Sequence, residues 1–462
     1  MPAETFAAPQ MEMDAAHAAE ILGQALATSS AEETEATLHS AISELTRFAN
    51  NAIHQNVAEQ QTVLSLRAVW QGRTARATTN RLDPEGIRGA AERALELAKL
   101  QAPDPELLPL LGRQAYRSVE RAAAATAALS PAARAEVVRE MVAIAEAAGM
   151  TAAGVMANSQ SAYAMANSRG LEAFYQDTSA EFSVTMLAAN SSGWAKGNSP
   201  DVRALDPATG ARAACAKARD SANSAEWAPG QYTVILEPAA VLDLLGFLFW
   251  DFGGLAVLDQ RSCLTGRLGT QLFGANIHVR DDVYHPLQSG APFDGEGMPR
   301  ERVVLVENGV VRSLVYARPT AARMEREQAS LGARPTGHGF PLPNEYGEAP
   351  LNLVVDGGTA SLEEMIASTR KGILVTRLWY IREVDPYRKL LTGMTRDGTF
   401  RIEDGKITGG VRNFRFNQSV IEMLQNVEEL GPAVRASGEE SFDMVVPAMK
   451  VRDFHFTEVT KF

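Results

Sequence analysis

Apolar and polar positions change period several times along the first half of the chain. Three dipeptides, Asp83-Pro84, Ser130-Pro131 and Asp206-Pro207, set a capping side chain directly before a proline. A proline in the first helical turn loses nothing by lacking an N–H, so each pair marks a helix start. The pattern predicts helices over 84–100, 131–148 and 207–222, the middle one stopping at Gly149. Between them, 62–70 (TVLSLRAVW), 161–166, 173–176 and 181–188 alternate with period two and are divided by Asn/Ser/Gly turns at 167–170 and 190–193. Helices beside an antiparallel sheet follow from that alternation.

The texture changes at Trp227-Ala228-Pro229-Gly230. A strand at 231–236 and one apolar helix near 239–250 precede a run of short strands: 302–307, 310–316, 351–355, 373–381, 399–403 and 406–415. Asn308-Gly309 and Asp404-Gly405 join two of these pairs, and such dipeptides supply the positive φ angles of tight hairpin turns. The fold class is therefore α+β. An amino-terminal α+β domain with an antiparallel sheet occupies 1–226, and a carboxy-terminal, mostly β domain occupies 227–462, with fraying over the first dozen residues.

The 462 residues suffice for two or three domains with their own cores. With 44 Lys and Arg against 56 Asp and Glu, the net charge of −12 opposes direct binding to nucleic acid, and no basic block reverses the sign locally. Cys215 and Cys263 fit no CxxC spacing and are expected as reduced thiols. No apolar run approaches the ~20 residues of a membrane span, since 241–250 contains Asp243 and is closed by Asp251. The opening MPAETFAAPQMEMD carries acids where a secretory leader carries bases, so the expected compartment is the cytoplasm.

Common catalytic signatures are absent: the chain has no GxxxxGK[ST], no GxGxxG after a strand, no GxSxG and no HExxH. His278 and His285 lie seven apart in a strand-like stretch, which sends them to opposite faces rather than to one ion. Asp294, Glu296, Asp385 and Asp397 stand in loop-like contexts; as a pair two of them could do general acid/base work, but the sequence brings no two together and each reads more simply as a turn former or helix cap. Arg377, Arg382, Arg388 and Arg396, interleaved with Trp379, Tyr380 and Tyr387, form either a cationic aromatic groove or the charged solvent face of a hairpin. The residues alone stop at a soluble two-domain α+β protein with a sheet edge open to peptide.

Several strings in order resemble the TldD/PmbA family, also called modulator of DNA gyrase. They are LTRFANNAIHQN (45–56), PGQYTVILEPAAV (229–241), PFDGEG (292–297) with VVLVENGVV (303–311), and VRNFRFNQS (411–419). Phe293, Asp294, Glu296 and Gly297 fall on the family's FDxEG segment, and the last string, with Asn417 and Gln418, resembles the PmbA-like, or TldE, branch. The resemblance implies a partly enclosed, barrel-like carboxy-terminal domain and dimers around a central cavity. In TldD-type subunits it also implies a HExxxH helix with a late Cys as the third zinc ligand.

Carried onto this sequence, the motif positions fall on Gly246, Phe247, Leu248, Phe249, Trp250 and Asp251, and no Cys follows Cys263. Both His, the Glu and the thiolate are replaced. The resemblance thus implies no catalytic or metal residue in this chain and zinc in a TldD-like metalloprotease partner. Small or unfolded peptide is the expected substrate, held along Arg377, Trp379, Tyr380, Arg382, Asn417 and Gln418. Two alternatives stay open: an active metallopeptidase with atypical ligands such as His278, His285 or His338, and a homodimeric peptide-binding or modulator protein without a protease partner.

Overall fold

The computed structural model describes residues 11–460, so most of the stretch where the sequence predicts fraying lies outside the described residues. The amino-terminal half is built on six antiparallel strands: β1 (Glu33–Ala49), β2 (Ala52–Trp70), β3 (Arg73–Thr79), β4 (Thr151–Asn167), β5 (Glu172–Leu187) and β6 (Ser192–Ser199), in the order β3-β2-β1-β4-β5-β6. Asn50 and Asn51, both at positive φ, make the tight turn between the two longest strands.

Five helices flank this sheet: α1 (Ala15–Thr28), α2 (Pro84–Leu100), the single turn α3 (Ala124–Ala127), α4 (Pro131–Ala147) and α5 (Pro207–Asp220). The three Pro-led helices begin where the sequence places them. Asp83 accepts from the Gly86 amide at 2.9 Å, Ser130 from Ala133 at 3.2 Å and Asp206 from Thr209 at 2.9 Å. Ala36, Ala162, Ala164 and Ala166 of the sheet share one buried cluster with Ala90, Ala91 and Ala94 of α2. Methyl-sized side chains on both surfaces let helix and strand approach closely.

The carboxy-terminal half contributes β7 (Gly230–Leu236), α6 (Pro238–Leu245), α7 (Gly254–Leu258), β8 (Val279–Asp281), β9 (Val303–Glu307), β10 (Val310–Val311), α8 (Arg318–Glu327), β11 (Leu353–Val355) and α9 (Leu362–Ala367). It continues with β12 (Lys371–Asp385), β13 (Leu390–Glu403), β14 (Lys406–Gly410), β15 (Phe414–Ser419), α10 (Val420–Gln425), β16 (Val427–Leu430), β17 (Val434–Ala436), β18 (Met444–Val446) and β19 (Met449–Val459). β12 pairs with β7 and β13, β13 with β15, β15 with β19, and β19 with β7, so five strands close into a barrel. Phe414, Phe416, Phe454 and Phe456, all buried, pack together with centroid separations of 4.7 to 5.6 Å. A second sheet, β10-β9-β8-β11-β18-β17, lies beside the barrel. The α+β class and the mostly β second half are as the sequence predicts.

Several boundaries differ. The strand predicted at 62–70 begins ten residues earlier, at Ala52, and the segments 161–166, 173–176 and 181–188 are parts of the two long strands β4 and β5. The helix predicted over 239–250 ends at Leu245, with Gly246 as its cap and a separate 3-10 turn at Phe249–Phe252. The strand predicted over 310–316 is only two residues long. Val315 leaves the hairpin to exchange hydrogen bonds with Phe252 and Gly254 at 2.9 Å each. The segment 406–415 divides after Gly410, where 411–413 separate β14 from β15.

Candidate functional site

The segment α6 is almost wholly apolar (PAAVLDLL), and its side chains from Ala240 to Leu245 are buried. That burial fixes its end, Gly246, and the following 3-10 turn against the loop 437–443 between β17 and β18. A cavity of about 740 Å³ opens there, with Phe247, Phe249, Trp250 and Asp251 on one wall, Glu439, Glu440, Ser441 and Phe442 on another, and Glu383 and Lys389 of the β12–β13 hairpin closing it. Phe249 packs edge-on against Phe442 with ring centroids 4.8 Å apart. Of the six motif positions singled out in the sequence, Gly246, Phe247, Phe249, Trp250 and Asp251 line this cavity, and only Leu248 does not.

Gly246, Phe247 and Asp251, on the His, Glu and His positions of the motif, do not fit zinc. A Cβ on Gly246 would collide with the side chain of Ser441, so an imidazole there would have to displace Ser441. Phe247 offers no ligand atom. Asp251 is already engaged: Lys389 Nζ lies 2.6 Å from Oδ2, and the Cys263 amide donates to Oδ1 at 2.7 Å. Burial pushes the Asp251 carboxyl above its ordinary range, with Lys389 opposing. For Lys389, burial would lower the ammonium, but Asp251 and Glu383, the latter at 2.7 Å, hold it above. Among the described residues no group of three or more His, Cys, Asp and Glu is placed to hold a metal ion.

The sequence-selected histidines are dispersed. His278 precedes β8 and His285 follows it in a turn, so the two do not share a single strand. His338 is fully buried, with Nε2 3.0 Å from Asp281 Oδ1 and Nδ1 3.0 Å from Thr336 Oγ1. Burial would raise Asp281, but His338 and Arg300 hold it below the usual carboxylate range.

The substrate-groove candidates occupy three environments. Arg377 is buried, donates to Asp397 at 2.8 Å and lies over Trp194 (4.8 Å) and Trp379 (5.6 Å). Asp397 also accepts from Ser192 of β6 at 2.6 Å, which ties the barrel to the amino-terminal sheet. Tyr380 is exposed, with Arg382 over its ring at 4.3 Å, and Asp385 accepts from the Tyr387 and Arg388 amides in the hairpin turn. Arg382 and Asn417 share Thr392 as cross-strand neighbour, whereas Gln418 is buried and accepts from the His455 amide at 3.0 Å. None of these six side chains lines the cavity.

The FDxEG segment forms a junction between the halves. Phe293 stacks on Tyr163 of β4 at 5.7 Å, and Tyr116 donates to the Gly297 carbonyl at 2.8 Å. Gly297 has φ +79, and a Cβ there would come within 2.6 Å of Leu171. Asp294 Oδ1 accepts from the Glu296 and Met298 amides and Oδ2 from Gly339, while Glu296 Oε1 accepts from Arg318. A Cβ on Gly339 would lie 2.8 Å from Glu296 Oε1 and 3.2 Å from Asp294 Oδ2, so the two buried carboxyls flank one backbone position. Burial raises both, and for Glu296 the nearby Asp294 charge adds to it, pushing that carboxyl up to about 8.

Residues 229–458 match a family profile described as the PmbA/TldA metallopeptidase C-terminal domain, and 34–98 match metallopeptidase domain 1 of the same family. The chain belongs to the PmbA/TldD family. A protein named Metalloprotease from Methanothermobacter thermautotrophicus is 27% identical over 220 residues, 45% of this chain and 44% of that protein. Metalloprotease PmbA of Escherichia coli O157:H7 is 23% identical over 223 residues, 47% of this chain and 45% of the relative. Each match spans less than half of the relative's length. The crystal structure of TldE from Thermococcus kodakarensis superposes with a TM-score of 0.85 at 21% identity, covering 95% of this chain and 99% of that one. The PmbA/TldD chain described here therefore carries a TldE-like fold.

Sequence reasoning did not find the far wall of the cavity. Glu439 to Phe442 lie almost two hundred residues after α6, in a SGEESFD loop whose only local signal is polar composition.

Proposed function

We propose that this PmbA/TldD-family chain is a non-catalytic, TldE-like subunit of a TldD/TldE-type metalloprotease complex acting on small or unfolded peptides. The observation that supports this reading is the filled metal-motif position: Gly246 packs so closely on the Ser441 side chain that a larger residue fits only if Ser441 is displaced. Zinc chemistry, a Lewis acid and its activated water, would then belong to a TldD-like partner bearing HExxxH. In this chain the cavity beside α6 would hold a stretch of extended peptide, its aromatic wall receiving apolar side chains.

The test is coexpression with a HExxxH-bearing family member, followed by copurification, metal analysis and cleavage of an unstructured peptide. Cleavage by the pair and none by this chain supports the proposal. Failure to associate, with cleavage by this chain alone, defeats it.

A further inference from the structure

The charges around the cavity are unevenly used. Its lining carries four carboxylates, Asp251, Glu383, Glu439 and Glu440, against two cations, Arg261 and Lys389. Lys389 is spent internally on Asp251 and Glu383, and its side chain is only 5% exposed. Arg261 is 57% exposed and paired with Asp259 at 3.2 Å. Glu440 accepts from the Tyr380 amide at 2.6 Å.

Glu439 differs from the other three. Its nearest cations, Lys196 at 3.8 Å and Arg377 at 4.0 Å, direct their hydrogen bonds to Gly438 O and to Asp397 instead. Among the described residues Glu439 accepts no hydrogen bond; it remains 29% exposed and lines the same cavity as Phe442 and as Trp250, itself 42% exposed. Behind this loop, Asp243 is fully buried and accepts from the Glu440 amide at 3.1 Å, and burial pushes its carboxyl up to about 7, so the negative charge of the wall rests on Glu439 and Glu440.

A carboxylate with unused acceptor capacity next to aromatic faces is a recognition surface for an organic cation, which gains both charge pairing and cation–π attraction. An anion would meet four carboxylates and no uncommitted buried base. Among the described residues no three His, Cys, Asp or Glu side chains are placed to hold a metal ion.

We propose that this cavity binds a protonated amine or guanidinium presented by a peptide next to an apolar residue, with Glu439 as its charge partner and Phe442 and Trp250 as its walls. The inference rests on the peptide-binding reading above and narrows it to cationic peptides. The ammonium could come from a Lys or Arg side chain or from a free amino terminus.

Calorimetric titration of the full chain at low salt separates these cases. The probes are acetyl-Ala-Phe-Lys-Ala-amide, the same peptide with norleucine or Glu in place of Lys, and the unacetylated Ala-Phe-Ala-Ala-amide. The Lys peptide is expected to bind about tenfold more tightly than the norleucine peptide and the Glu peptide more weakly than either. Tight binding of the unacetylated peptide would assign the site to amino termini, and binding of the Lys peptide alone to side chains. In Glu439→Gln the advantage of Lys over norleucine should vanish, with the thermal midpoint read separately to confirm folding. Equal affinity of the unaltered chain for the Lys and norleucine peptides overturns cation recognition and leaves peptide binding standing. No binding of any probe, alone or with a HExxxH-bearing partner, overturns both.

Discussion

Glu296→Gln probes the junction where the FDxEG segment meets the amino-terminal sheet. Glu296 is 4% exposed, its Oε2 accepts no hydrogen bond, and Arg318 Nη1 is 3.6 Å away. Its carboxyl, raised from 4.5 to about 8, must take up a proton to fold at neutral pH. A carboxyl raised on folding favours the native state fully below its unfolded value and loses that contribution as pH climbs toward the folded one. The window is therefore 4.5 to about 8. At about 1.4 kcal/mol per unit, the loss between about pH 5 and about pH 8 is on the order of 3 kcal/mol. Glutamine keeps an acceptor for the Arg318 amide and an N–H where the proton would sit, without titrating. Denaturant unfolding of both proteins across this range should show the variant gaining on the parent by about that amount as pH rises. A difference that is flat with pH, or that moves against the variant at high pH, would refute the protonated carboxyl.

Other perturbations test the cavity and the junction. Lys389→Met should cost about 3–5 kcal/mol in unfolding free energy by stranding the buried Asp251 carboxylate, Asp251→Ala should cost less because Glu383 still pairs with Lys389, and the Asp251→Leu, Lys389→Met double variant should lose less than Lys389→Met alone. Gly246→His should destabilise by about 1–3 kcal/mol through overpacking on Ser441 and should acquire no zinc by metal analysis. Gly297→Ala forces φ +79 onto an L residue against Leu171 and should cost about 1–3 kcal/mol by thermal unfolding.

Helix starts were legible because their cause is local. Asp83, Ser130 and Asp206 each need only a proline and an amide three residues on. The Asn308-Gly309 and Asp404-Gly405 turns, all four residues at positive φ, were legible for the same reason. β1 and the alanine-rich β4 were harder. The alternation showed only 161–166 of β4, and the stretch from Thr151 to Gln160 is strand because it pairs with β1 on one side and β5 on the other, partners remote from its local pattern. Arg377 was misleading in another way. Alternation places it on a strand but cannot show that Asp397 and two tryptophans enclose it. The cavity joins α6 to a loop remote in sequence, so local pattern could supply Gly246 and Asp251 but not Glu439 or Ser441.

The central claim, that this chain supports peptide cleavage without carrying the metal chemistry, is tested most directly by one paired measurement. Zinc content and cleavage of an unstructured peptide are determined for the purified chain and for its mixture with a HExxxH-bearing family member. The account predicts substoichiometric zinc and no cleavage for the chain alone, and zinc-dependent cleavage by the mixture. Stoichiometric zinc in this chain alone, with cleavage abolished by a chelator, would contradict it.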